Sequence, residues 1–335
     1  MGEIHDERSK LNDKKIQELK RQLTEAETSV KANDACVYLT GSYARGEATE
    51  HSDLDLFIVG RTQDKKRKLT RLDELCIKAD LVRACEKVNL PKFSGDGEYL
   101  RFYTVDDLVS SLGSPDDDSK NTLTARLLLL LESRPLLGEE IYEPAIKQVI
   151  TAYWRDSGKF PEEFRPAYLA NDILRLWRTF CVNYEARTND ESQEDRAKRK
   201  LKNFKLKHSR LLTCYSALLA LVDVYGREGN VTEDDALAIV KQTPMGRLTN
   251  LHVPEAGKKL RDAAIEIYED FLRRTAKSEN ELIQRIVSND NDNDNEPLRG
   301  EGDFSEAIFK LMVLLGKRSK DPGEDFNKLF RIIVV

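Results

Sequence analysis

Apolar positions along this chain change period twice. Residues 7–32 are charged, with Leu11, Ile16, Leu19 and Leu23 at helical spacing, which predicts one amphipathic helix. The pattern then tightens. Val37-Tyr38-Leu39 is a short β-favouring run, and Gly41-Ser42 ends it with a flexible turn and a hydroxyl where a short helix begins. Asp53-Leu54-Asp55-Leu56-Phe57-Ile58-Val59 predicts the next strand, with Leu54 and Leu56 towards the core. A helix is expected through Leu69, Leu72, Leu75, Ile77 and Leu81, then a loop and a third strand from Tyr99 to Thr104. A short helix opens at Val105-Asp106-Asp107-Leu108, and a strong one covers Asn121–Arg134. Asp116-Asp117-Asp118 is expected to cap that helix and match its dipole.

From about Gly138 onward strand signals nearly vanish. Helical stretches are predicted over 140–156, 166–187, 199–226, 232–242, 254–286 and 303–318. In Tyr168–Tyr184 the stripe Leu169, Ile173, Leu176, Trp177, Phe180 and Tyr184 is assigned to the core, leaving Asn171, Asp172, Arg175 and Arg178 as candidates for a cleft. Ser288–Asn295 is acidic and of low complexity, a flexible loop. The expected fold class is α+β. A small mixed β-sheet domain covers 1–138, and an all-helical domain covers 139–335 with a flexible acidic loop near 288–302.

Composition narrows the setting without naming a chemistry. With 335 residues, 40% of them hydrophobic and 34% charged, the chain suits a soluble globular protein of two domains. A net charge of −5 gives no global push towards nucleic acid or anionic membrane. Five cysteines without metal-site spacing suggest reduced thiols and a cytoplasmic location. Met1-Gly2-Glu3-Ile4-His5-Asp6 is not a signal peptide, and the apolar run Leu127–Leu131 is far too short to span a bilayer.

The chemistry gathers between Cys36 and Gly60. Residues two apart on a strand point to one face, so Asp53 and Asp55 lie side by side. Paired carboxylates repel unless a cation sits between them, and Mg2+ favours such hard oxygen ligands. Gly41 lets backbone approach a phosphate, Ser42 can donate to a phosphate oxygen, and Arg45 sits one turn into the helix. Two metals would activate an acceptor hydroxyl and steady a leaving pyrophosphate.

Gly41-Ser42, ten residues, then Asp53-Leu54-Asp55 resembles the signature of the polymerase-β-type nucleotidyltransferase superfamily. The form GSYARGE…SDLDLF is most similar to the branch of bacterial PII uridylyltransferases and glutamine-synthetase adenylyltransferases, and TARLLLLLESRPLLGEE more loosely resembles the helix after the catalytic sheet in PII-uridylyltransferase-like proteins. The resemblance implies two Mg2+ ions, an NTP substrate, and a third carboxylate acting as acceptor base and metal ligand. Asp96 is the preferred candidate and Glu98 the alternative, with a plain turn at Gly95-Asp96-Gly97 as the competing reading. Related enzymes also use a lysine from the helical domain. In Arg196–Arg210, which carries eight Lys/Arg among fifteen residues, Lys205, Lys207 or Arg210 would take that part, or the run is a solvated face. Lys65-Lys66-Arg67-Lys68 is read as a solvated helix start, with a patch for a polyanionic substrate as the alternative.

The implied activity is metal-dependent transfer of a nucleoside monophosphate from an NTP to a hydroxyl, with release of pyrophosphate. A protein acceptor is favoured, with RNA, a small molecule or a second nucleotide as alternatives. A non-catalytic nucleotide-binding module is the competing class. Nothing resembles the HD hydrolase motif or effector-binding domains of the full PII enzyme, so this chain is not expected to remove the modification.

Overall fold

The computed structural model describes residues 2–64, 66–93, 97, 100–186, 192–288, 303–320 and 323–335. It divides into two compact units, one spanning Asp6–Asp156 and the other joining the residues up to His5 with Ser157–Val335.

The first unit is built on a four-stranded mixed sheet. The chain enters through α1 (Glu3–Arg21) and α2 (Thr24–Ala32), then β1 (Ala35–Thr40), α3 (Gly41–Arg45) and β2 (Asp55–Gly60). A small hairpin follows, β3 (Thr62–Gln63) with β4 (Lys66–Arg67), then α4 (Arg71–Lys87) and β5 (Phe102–Thr104). Next come α5 (Val105–Ser110), α6 (Asp116–Ser119), α7 (Thr122–Leu131), β6 (Arg134–Leu137) and α8 (Glu139–Tyr153). The strand order is β5-β2-β1-β6, with β2–β5 parallel and the other two pairs antiparallel. Strands β1 and β2 are apolar on both faces because each face is covered, so nearly all their residues are buried. One face packs on a core that includes Ile16, Leu19, Val30, Ile77 and Leu81 from α1, α2 and α4.

Several expectations shift here. The N-terminal helix is two helices, and Leu11 is exposed. Leu72 and Leu75 also face solvent, because α4 buries Ile77, Leu81, Ala84 and Cys85 instead. Lys66, Arg67 and Lys68 belong to a hairpin and its exit, where Arg67 pairs with Glu74 and Lys68 with Asp34, so this is no helix start. Lys65 lies outside the described residues. The strong helix ends at Leu131 and Arg134 begins a strand beside β1. The three aspartates form α6 and do not cap α7. Asp117 is fully buried and takes a two-pronged bond from Arg126, while Ser111 and Thr122 donate to it as well. The division expected at 138 falls at the start of α8, whose face of Ile141, Ala145 and Val149 is buried within the sheet unit.

The second unit is helical, and among the described residues no strand follows residue 140. It contains α9 (Ala167–Ala186), α10 (Gln193–Lys205), α11 (Leu211–Glu228), α12 (Glu233–Val240), α13 (Pro244–Thr249), α14 (Glu255–Arg274), α15 (Glu279–Ser288), α16 (Phe304–Gly316) and α17 (Lys328–Val334). A π-helical turn, Leu206–Arg210, joins α10 to α11. The stripe on α9 buries Leu169, Ile173 and Leu176, with Trp177 half-buried edge-on to Tyr215. Asp172, one of the four cleft candidates, is buried. The predicted helix over 254–286 is interrupted, and Ser278 starts α15 by accepting from the Glu281 N–H while Glu281 accepts from the Ser278 N–H. Of the acidic loop, residues 289–302 lie outside the described set.

Candidate active site

The site grows from the turn between β1 and β2. Thr40 is extended, Gly41 adopts φ +68°, and the five-residue helix α3 is stopped by Gly46 at φ +74°. In the β1–β2 ladder Thr40 lies opposite Asp55, which brings the strand carboxylate back onto the turn. A Cβ on Gly41 would stand 2.7 Å from Asp55 Oδ2. Both the backbone angle and the contact therefore demand glycine. Asp55 and Ser42 are half-buried.

The strand expected from Asp53 begins only at Asp55, so Asp53 lies just outside it, half-buried, and Leu54 beside it is 1% exposed. That buried side chain anchors the backbone between the two aspartates. Burial first, then the Cys85 thiol and the Asp53 carboxylate, push the Tyr43 hydroxyl up to about 12. Asp53 is thus close enough to act on Tyr43, the third residue of α3. The structure gathers Gly41, Ser42, Asp53 and Asp55 about one turn. Asp96 and Glu98, the candidates for the third carboxylate, lie outside the described residues. Among the described residues no group of three or more His, Cys, Asp or Glu forms a metal site. The donor set that is present, two carboxylates and a half-buried hydroxyl at a glycine turn, is hard oxygen and fits a magnesium-like cation.

Residues 17–99 match the nucleotidyltransferase domain family. The nucleotidyltransferase match contains Gly41, Ser42, Asp53, Asp55 and Asp96, and supports the polymerase-β-type superfamily. It indicates a nucleotidyltransferase activity, an NTP-using transfer of a nucleotidyl group. No curated protein matches the chain. No helix among the described residues is long and apolar enough to cross a membrane.

Arg45 departs from the expected phosphate contact. It is buried in the sheet unit, with Nε donating to Glu47 Oε2 and Nη1 to Glu132 Oε2, each at 2.7 Å. Arg45 therefore ties α3 to the end of α7 and to the loop that follows α3. In the basic run, Lys205 lies 3.5 Å from Glu279, Arg210 stacks its guanidinium over the Phe180 ring, and Lys207 is exposed and contributes to lowering the Asp303 carboxyl. Glu47 and Glu132 meet the turn through Arg45, and Asn12 bonds the Ala48 backbone beyond it, yet no motif in the sequence marks any of the three. Glu132 falls within the stretch expected to be helical, and Asn12 is one polar residue among many on α1.

Proposed function

We propose that this chain transfers a nucleoside monophosphate from an NTP to a hydroxyl on a protein and releases pyrophosphate, in a reaction that requires divalent metal. The observation that carries this reading is the place of the Asp55 carboxylate at the β1–α3 turn, in the space that a Cβ on Gly41 would need. A carboxylate held against a glycine turn, next to a half-buried serine, suits holding phosphate and a cation together.

Asp53 and Asp55 would hold magnesium, which when bound neutralises triphosphate charge and lowers the pKa of the acceptor hydroxyl. Ser42 donates its hydroxyl to a phosphate oxygen, and Gly41 leaves room for that approach. Asp96 is the proposed base for the acceptor proton, with Glu98 as the alternative. Arg45 holds α3 in place instead of meeting the phosphates.

The test is a panel of labelled NTPs with magnesium, first with the protein alone and then with cell lysate, following pyrophosphate and label. Asp53→Asn and Asp55→Asn are expected to abolish release while melting like the parent. Wild-type turnover by either variant refutes the assignment. Label in a lysate protein supports the acceptor proposed, whereas label in RNA or a small molecule replaces it. No pyrophosphate from any NTP would mark a binding module.

A further inference from the structure

Asp53 stands outside the sheet ladder, so something other than strand pairing has to fix it. The loop that delivers it, 46–54, is held at a series of points. At its start the Glu47 N–H donates to the Ser42 carbonyl at 2.8 Å. At its end the Ser52 Oγ accepts from the Thr49 N–H, and the Ser52 N–H donates back to the Thr49 carbonyl, both at 3.0 Å. That closed turn releases the chain directly into Asp53. Between the two lies Ala48, 5% exposed, and its backbone is bound on both sides by one side chain.

That side chain is Asn12 on α1. Its Oδ1 accepts from the Ala48 N–H at 3.1 Å, and its Nδ2 donates to the Ala48 carbonyl at 3.0 Å and to the Arg8 carbonyl at 2.6 Å. Asn12 is 3% exposed, so these bonds form out of reach of water. An amide that reads both the N–H and the C=O of one residue imitates a strand partner, and no other side-chain type of this size carries both donor and acceptor in that geometry. Arg8 adds a bond from Nη1 to the Glu47 carbonyl at 3.0 Å. Helix α1 is a rigid rail behind the loop, and Asn12 is where the loop is fastened to it.

We infer that Asn12 is a positioning residue for Asp53, setting through Ala48 and the Thr49–Ser52 turn where the metal-binding carboxylate stands. The inference rests on the reading that Asp53 holds a divalent cation. Groups that orient a metal ligand at second hand commonly change metal affinity by about 10- to 100-fold when removed. Mutating Asn12 leaves every ligand in place and unfastens only the loop.

The experiment is titration of the full chain with Mn2+, read by the loss of the free-ion electron paramagnetic resonance signal, together with hydrogen exchange over 46–52. The proteins are wild type, Asn12→Ala, Asp53→Asn and Leu19→Ala. The last removes buried packing from the same helix and none of the hydrogen bonds that hold the loop. Asn12→Ala is expected to weaken Mn2+ binding by about 10-fold or more and to speed exchange over 46–52, while Leu19→Ala keeps wild-type affinity below its melting temperature. If Asp53→Asn abolishes Mn2+ binding but Asn12→Ala leaves it unchanged, or weakens it no more than Leu19→Ala does, the positioning role falls and the metal reading stands. If Asp53→Asn changes nothing, both fall. Should Asn12→Ala not fold, Asn12→Asp keeps the acceptor for the Ala48 N–H, gives up both donors, and carries the same comparison.

Discussion

Replacing Gly41 with alanine separates strain from chemistry. The new Cβ meets two costs. At φ +68° an L-residue is in the left-handed region, which costs roughly 1–2 kcal/mol. The Cβ would also stand 2.7 Å from Asp55 Oδ2 and 3.6 Å from Asp55 Cγ, so the carboxylate has to swing away. Turning a side chain off its rotamer costs about 0.5–1.5 kcal/mol. Together these give about 1.5–3.5 kcal/mol, or a fall in Tm of roughly 3–14 °C at about 2–4 °C per kcal/mol for a unit of this size. The effect on turnover is larger in proportion, because displacing a positioned group by about 1 Å costs about 100-fold. The assay is magnesium-dependent pyrophosphate release at a temperature where both proteins are folded. Gly229→Ala is the control. It has φ +73°, but its Cβ would meet only Lys320 Cδ at 3.1 Å, the flexible part of a side chain. It pays the same backbone strain without touching a carboxylate and is expected to turn over like wild type. If Gly41→Ala also keeps wild-type turnover, the close approach of turn and carboxylate is packing and nothing more.

Asp117→Ala strands the Arg126 guanidinium in the interior, where both side chains are fully buried, and is expected to cost about 3–5 kcal/mol. Adding Arg126→Met should recover part of that loss, and a thermal melt of Asp117→Ala that matches wild type would dismiss the pair as a structural link. His208 is stacked between Phe271 and Phe304, and burial, opposed by the Phe204 carbonyl, Asp303 and Asp270 and reinforced by Lys207, holds it below its ordinary 6.5. The unfolded chain then takes up a proton that the folded one refuses, so stability should fall as pH drops through about 6.5. Melts of His208→Gln between about pH 5 and 8 should lack that slope, and an unchanged slope would place the titration elsewhere.

The sequence carried what is local. Gly41, Ser42, Asp53 and Asp55 all lie within one strand–turn–helix–strand unit, where chain neighbours are also neighbours in space. Their grouping follows from closeness in the chain and from turn chemistry, although strand alternation does not reach Asp53, which precedes β2. What it could not carry was the destination of a charge. Arg45 has the right sign for a phosphate, but Glu132, 87 residues away, claims it. Three aspartates before an apolar helix have the composition of a cap, yet Arg126 draws Asp117 into the core from nine residues further on. Leu72 and Leu75 have helical spacing, but which side of α4 meets the sheet is decided by the strands. The break at Thr275–Ser278 is legible in the sequence, since Ser278 followed by Glu281 is a helix start in its own right.

These failures share one physical cause, and it bears on how such a site works. A motif names the atoms that touch substrate, whereas tolerance in their positions is set by what stands behind them. Here that backing comes from outside the motif: Asn12 from 36 residues upstream of Ala48, and Glu132 from far downstream. Each contact is made by a buried polar side chain whose loss leaves backbone or guanidinium groups unsatisfied in the interior, so each is strongly directional. Hydrophobic packing alone would leave the 46–54 loop free to slide, because dispersion contacts have little angular preference. Two aspartates can share a cation only while their separation holds to a fraction of an ångström. The polar clamps on either side of α3 supply that restraint. The transfer chemistry is therefore legible in a short string of residues, while the precision that would make it fast is written across the whole sheet unit.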